Sequence, residues 1–368
     1  MYVDCSCVVA TGSLICRAAK PAKRGLFARI AAASSSLQAV IVSAVRKFLI
    51  IDVSGNPGGD VDRAFNLFKL FFPSEFPYSA NRFRRHEVSE GLVKIFSAAN
   101  RSAALENVPN NVNFMSYSVA VTPDQEAGFE SYEDLLGDTT ELGTPVSSLF
   151  ASFNFTEASG NSDTPIRGYA GRPLNRTQPF KAGNILIIGD GLCASTCSIF
   201  VNLMTNIGGV RALPFGGHPN GQPMQIMGGV RGSQTLTFDD IATVVSAAKA
   251  VYRETPETLE FITKEENERL MKVAPRPLEE FPIKLGAGQV NFLNAYQDGD
   301  DDLPLQFQYQ AGDCRLYYTA ENIYHPETRW KSAKEAIWGN RSCVKGSTGG
   351  TGSLEGRKKG KKNESEGG

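Results

Sequence analysis

Histidine is scarce in this chain, with three copies in 368 residues: His86, His218 and His325. That leaves little for a histidine-built metal centre and few candidates for an imidazole base. Cysteine is sparse too. Seven are too few for a disulfide-dense scaffold, and none forms a Cys-x-x-Cys pair with histidines at zinc spacing. No apolar run approaches the ~20 residues that cross a bilayer, because Ser, Lys or Gly interrupts each candidate. Nothing marks a lipid anchor. Excess charge of one sign is missing as well: 38 Lys and Arg against 39 Asp and Glu give a net charge of −1, with no bias toward nucleic acid or an anionic membrane. The composition therefore implies no cofactor, no metal, no nucleic acid and no membrane partner. What is there is a chain 41% hydrophobic and 21% charged, long enough to bury a large core.

Residues 189–197, Gly-Asp-Gly-Leu-Cys-Ala-Ser-Thr-Cys, follow the apolar run Ile185 to Ile188 and precede Ser-Ile-Phe-Val-Asn-Leu-Met at 198–204. A strand thus runs through a tight turn into a helix. Such a turn holds the hydroxyl of Ser195 proud of a sheet, beside unpaired N–H groups of the following helix. Serine is also among the commonest helix N-caps, and on this segment alone capping is the more frequent use. A second unit of the same kind lies upstream. Lys47 to Val53 reads as a buried strand, Ser54-Gly-Asn-Pro-Gly-Gly59 breaks it, and residues 60–72 resume with helical spacing. Gly58 and Gly59 lack Cβ, so their backbone can approach a ligand and direct N–H groups at a developing oxyanion. A plain tight turn would use the same glycines.

Together the two units resemble the tail-specific protease family, the C-terminal processing peptidases, and in particular its fungal branch related to the chlamydial protease-like activity factor. The resemblance rests on Leu49-Ile-Ile-Asp-Val-Ser-Gly-Asn-Pro-Gly-Gly59 and Asp190-Gly-Leu-Cys-Ala-Ser-Thr-Cys-Ser-Ile-Phe200. It continues in the expected order through residues 216–232, 303–319 and 343–347. It implies an α/β fold with a crotonase/Clp-protease-like spiral core, a mixed sheet and flanking helices. It further implies a serine endopeptidase acting on a polypeptide substrate, with Ser195 as nucleophile and an oxyanion hole of backbone N–H groups at Gly58, Gly59 and Thr196.

Amide hydrolysis also needs a base to take the serine proton and return it to the leaving amine. In the branch that this chain resembles, the base is a His carried by an N-terminal His-Asp-Gly-His-like segment, with a PDZ-like module between; this sequence contains no such segment. His86 lies in a charged stretch typical of a solvated surface, and His325 precedes Pro326 in an expected loop. His218, after an expected strand over 210–215, is the fallback base. Another branch of the family uses a Lys after the serine, but no Lys occurs between Ser195 and Met227, which disfavours a Ser-Lys dyad. Gln310 stands where related sequences carry an orienting Glu, with Asp313 and Glu321 as substitutes. Two readings follow: a truncated form of an active peptidase, or an inactive pseudoprotease that binds peptide or protein. A third use of such a core, acyl-CoA chemistry, is disfavoured by Ser195 and its flanking cysteines.

Residues 1–35 read as an atypical leader, of the kind an unintended start would give. Being Arg-rich and nearly acid-free, they also fit an organellar transit peptide, and fit a secretory signal less well. Residues 36–347 are the expected catalytic domain, with an insertion over about 74–180, and 348–368 a disordered Gly/Lys-rich tail. Within the insertion, Arg82, Arg84 and Arg85 make a solvated face rather than an RNA site. The pattern predicts helices over 238–252 and 256–272, strand-like segments within 291–319, and a solvated acidic turn at 298–302 that lacks EF-hand spacing. Cys193 and Cys197 are either buried packing residues or a disulfide, and Cys314 pairs with Cys343 if the protein is exported. Sequons at Asn100, Asn154, Asn175, Asn340 and Asn363 hint at a secretory history.

Overall fold

Strand-forming sequence sets the first sheet. Leu49, Ile50 and Ile51 are an unbroken β-branched and apolar run, and so are Ile185 to Ile188; all are at most 3% exposed. Continuous apolar runs suit parallel strands covered on both faces. The computed structural model describes residues 47–99, 110–156, 166–228, 231–255, 260–273 and 288–348, and the backbone of two further strands, β1 (Cys7–Ala10) and β2 (Ser13–Arg17). The side chains of residues 1–35, Asn100, the loop at 160–165 and the tail from 349 lie outside the described residues. The chain is mixed α/β and divides into two compact units: 1–77 with 171–231 and 306–368, and 78–170 with 232–305.

In the first unit, β3 (Phe48–Asp52), β4 (Ile185–Gly189) and β5 (Arg211–Pro214) join β1 and β2 in a sheet of order β1-β2-β3-β4-β5. The β1–β2 pair is antiparallel and the rest are parallel, with Ile51 opposite Ile187 and Ile188 opposite Leu213. Helix α1 (Val61–Phe71) follows β3, and α2 (Thr196–Asn202) follows β4; the two helices pack together. Ala64, Phe65, Leu67, Phe68 and Phe71 supply the buried face of α1 at i, i+3 and i+4 spacing. Beyond α2 the chain widens into a π-helical turn, Leu203–Ile207, where Thr205 Oγ1 donates to Val201 O at 2.8 Å. Gly208 follows it, at a position where a Cβ would meet Phe72 Cε2 at 2.6 Å. Ile50, Leu186, Ile188, Leu213 and Phe215 pack with Leu316, Trp330 and the Cys314–Cys343 disulfide on one side of the sheet. Each large apolar side chain buried there contributes about 1.5–3 kcal/mol. The last two helices, α3 (Ala320–Tyr324) and α4 (Glu327–Trp338), close this unit.

The second unit carries a four-stranded antiparallel sheet, in the order Gln234–Thr237, Gln289–Tyr296, Ala80–Phe83 and Phe150–Ala151. The segment read as an insertion thus shares its sheet with strands from beyond residue 232. The helix expected over 238–252 spans Phe238–Glu254 and starts at a capping box between Thr237 and Asp240. The helix expected over 256–272 is Lys264–Val273. Its start is set by Thr263, whose Oγ1 accepts the Glu266 N–H at 3.1 Å while Glu266 Oε2 accepts the Thr263 N–H at 2.8 Å. Of the strand-like stretch 291–319, the regular strand is Gln289–Tyr296; the chain then turns at Gln297–Asp300. Among the described residues, no helix is long and apolar enough to cross a membrane.

Candidate active site

The two glycine turns, 135 residues apart, are tied to each other within the first unit. Asn56 and Cys193 form a parallel β-bridge, with Asn56 N–H donating to Leu192 O at 3.1 Å and Ala194 N–H to Asn56 O at 3.3 Å. Asp190 Oδ1 accepts two N–H groups, one from each turn: Gly55 and Leu192, both at 3.0 Å. The junction is so close that a Cβ on Gly58 would lie 2.7 Å from Ser195 Cβ and 2.8 Å from Ala194 O. Only glycine fits there, and its φ of +117° also favours glycine.

Ser195 itself adopts φ 52° and ψ −129°, a conformation that costs a non-glycine residue on the order of 1–3 kcal/mol. It occupies the N-cap position of α2, yet its side chain makes no capping hydrogen bond. Its carbonyl is spent, accepting from Ile199 N at 3.1 Å and Ser198 Oγ at 2.7 Å. Its half-buried hydroxyl makes no hydrogen bond to the described residues. A strained serine at a strand-to-helix turn, with its side chain released from capping, is the backbone arrangement that a nucleophile elbow requires. Cys193 and Cys197 are joined in a disulfide that closes a small ring centred on Ser195. The ring braces the strained residue from both sides.

The glycine turn presents donors selectively. Gly58 gives its N–H to Asn56 Oδ1 at 3.0 Å, an Asx turn, so that expected oxyanion donor is already engaged. Thr196 Oγ1 donates to Gly59 O and pins the other end of the Gly-Gly segment. The N–H groups of Gly59 and Thr196 are left without a partner among the described residues. The Asn-x-Gly-Gly turn is legible in the sequence, and the structure adds the Asx bond from Gly58 to Asn56 that holds it.

The other expected residues are placed elsewhere. His218 is exposed, and its carbonyl accepts from Arg315 Nη2 and from the Asn220 N–H at 2.7 Å. Gln310 is 6% exposed and fully engaged. Its Nε2 donates to Asn206 Oδ1 at 2.9 Å and Thr205 Oγ1 at 3.2 Å, and its Oε1 accepts from Arg231 Nη2 at 2.6 Å. Thr205 lies in the π-helical turn beyond the far end of α2 from Ser195. No histidine is among the hydrogen-bond partners of Gln310. Asp313 clamps β5, its Oδ2 accepting the Ala212 N–H at 2.7 Å, and burial pushes its carboxyl above the usual range. Glu321 is exposed in the first turn of α3. In the second unit, His86 Nδ1 accepts the Val88 N–H at 3.2 Å at the start of helix Glu87–Ala99; burial and then Arg84 lower its pKa. His325 ends α3 and lies 3.5 Å from Glu327. The structure therefore joins Ser195, Thr196, Gly58 and Gly59, and shows neither His218 nor Gln310 in contact with them.

Comparison with known proteins adds to this geometry. No family profile matches the chain. Peptidase S41 family protein ustP of Aspergillus flavus is 40% identical over 307 residues, covering 82% of this chain and 63% of that protein. Peptidase S41 family protein phomP1 of Diaporthe leptostromiformis is 36% identical over 317 residues, 80% of this chain and 47% of its own length. A second protein of that fungus, phomP1′, matches to the same extent. The chain spans less than two thirds of the length of each of these relatives. Identity of 36–40% across four-fifths of the sequence supports the peptidase S41 family as the family of this chain.

Proposed function

We propose that the chain carries the nucleophile and oxyanion hole of a serine-type endopeptidase of the tail-specific protease kind, close to the chlamydial-like fungal branch, on a crotonase-like core. Ser195 attacks the peptide carbonyl, and the Gly59 and Thr196 N–H groups receive the oxyanion. The observation that carries this reading is the contact of the Gly58 backbone with Ser195, since a Cβ at Gly58 would fall 2.7 Å from the serine Cβ. A helix cap needs no glycine turn from 137 residues upstream pressed against it. The proton of Ser195 is taken by a base from polypeptide outside the described residues; His218 is the alternative within them. Names of the relatives speak for peptidase chemistry, and a polypeptide substrate follows from it.

A fluorophosphonate probe tests this. Covalent labelling that is lost in Ser195→Ala supports an activated hydroxyl. A well-folded protein that takes no label at Ser195 would sink the peptidase reading and leave a peptide-binding pseudoprotease.

A further inference from the structure

A cleft of about 210 Å³ opens in the first unit along residues 217–228, lined among others by Asn220, Gln222, Met224, Tyr309 and Arg315. It abuts the nucleophile turn: Gly228 N–H donates to Gly191 O at 2.9 Å, and a Cβ on Gly191 would meet Met224 Cε at 3.0 Å. Sites for drug-sized ligands run to about 300–1,000 Å³, so this volume suits one side chain or chain end.

Its chemistry is set by Arg315, which is 2% exposed. The guanidinium is surrounded by neutral oxygens: Nε donates to Gly216 O at 2.8 Å, Nη1 to Gln222 O at 2.6 Å and Asn220 O at 3.2 Å, and Nη2 to His218 O. These bonds hold the loop, and the centre of the Tyr317 ring lies 4.8 Å from the guanidinium carbon; neutral oxygens and a neutral ring leave the positive charge without a counter-ion. Among the described residues, no carboxylate pairs with Arg315 and none lines the cleft. A buried charge without a counter-ion is costly, and its field extends into the cleft that Arg315 lines. Met224 and the Tyr309 ring offer an apolar wall for the methylenes that would carry that anion.

We propose that this cleft is a substrate subsite for a carboxylate-bearing group of the polypeptide, and that it rejects Lys and Arg. The proposal rests on the peptidase reading for its ligand class. A carboxylate can come from an Asp or Glu side chain or from a free chain end, and the probes separate these.

The experiment is fluorescence anisotropy of dye-labelled peptides on the full chain at low salt, independent of Ser195 chemistry. Four peptides of one scaffold are compared: amidated with a single Glu, amidated with Gln or with Lys in its place, and the Gln peptide with a free terminal carboxylate. Either carboxylate peptide should bind about tenfold tighter than amidated Gln, with Lys weakest and the gap shrinking with salt. Whichever of the two gains names the source. Arg315→Gln should abolish the preference. Gln222→Glu, which keeps the loop pinned and supplies an internal counter-charge, should abolish it too, so a misfolded Arg315 variant does not end the test. Equal binding of all four peptides, or a preference that survives Gln222→Glu, overturns the subsite. Fluorophosphonate labelling of Ser195 in the same samples shows separately whether the peptidase reading stands.

Discussion

Gly58→Ala is the sharpest perturbation of the nucleophile turn. The new Cβ would sit 2.7 Å from Ser195 Cβ and 2.8 Å from Ala194 O, at a φ of +117°. Carbon atoms in comfortable contact stand about 3.5–4.0 Å apart, so one turn must retreat by roughly 0.8 Å or more. The obstructing oxygen belongs to the backbone and cannot rotate aside. The conformational cost at this φ adds about 1–3 kcal/mol. A misplacement near 1 Å at a reacting group lowers rate by about 100-fold. We therefore expect the second-order rate of fluorophosphonate labelling at Ser195 to fall about 100-fold, with a clear drop in the thermal midpoint. Gly55→Ala is the control: its φ of +66° carries the backbone cost, but nothing lies within 4 Å of the added Cβ. It should lose about 1 kcal/mol and label within a factor of about 3 of wild type. The reasoning is refuted if Gly58→Ala labels as fast as Gly55→Ala and melts no lower.

Three further outcomes are expected. Asn56→Ala removes the acceptor of the buried Gly58 N–H, which should cost about 1–3 kcal/mol and slow labelling; Asn56→Ser, with a weaker acceptor two residues before Gly58, should recover part of both, and equal loss in the two variants would count against the strut. Replacing the cysteine pairs by alanine should cost about 2 kcal/mol at Cys193–Cys197, separation 4, and about 3.5 kcal/mol at Cys314–Cys343, separation 29, by loop-closure entropy. Labelling of Ser195 should fall only for the first pair, and unfolding curves with labelling rates check both. Burial raises the carboxyl of Asp313 above its ordinary 3.8, so the folded state holds this proton more tightly than the unfolded chain. Its contribution is full below about 3.8 and is lost as pH rises through the raised value. Asp313→Asn, which keeps an acceptor for the Ala212 N–H, should remove that slope in urea unfolding between pH 4 and 7; an unchanged slope would rule the residue out as its source.

Local signals were legible and pairings were not. Leu49 to Ile51 and Ile185 to Ile188 announce buried strands by composition alone, and the amphipathic period of Phe238–Glu254 announces a helix. The helix expected from 256 starts at Lys264, where the Thr263-x-x-Glu266 capping box sets its first turn. The pairing of Ala80–Phe83 with Gln289–Tyr296 joins segments about two hundred residues apart, and no local pattern encodes such a register. His86 is exposed, as its charged stretch suggests, and its ring nitrogen also caps a helix, a role outside the usual Ser, Thr, Asp and Asn set. Gln310 was singled out through resemblance, and its neighbours Arg231, Asn206 and Thr205 come from two segments that no spacing rule brings to it.

Ser195 shows why a capping serine and a serine in a strained turn read alike in sequence but separate in backbone geometry. A capping serine sits in the extended region and turns its oxygen back to the helix. Ser195 instead holds φ at 52° with its side chain off the helix, and that strain persists only where the surroundings over-determine it. Here they do so four times over: through the Cys193–Cys197 bond, the Asn56–Cys193 bridge, the Asp190 carboxylate between Gly55 and Leu192, and the Thr196 hydroxyl on Gly59. All four constraints act within the two turns and need no histidine. If Ser195 is the nucleophile as proposed, these turns set the oxyanion side of the site without the base, which would have to deliver only proton transfer. Phosphonylation of Ser195 should accordingly depend on the turns as strongly as on the base.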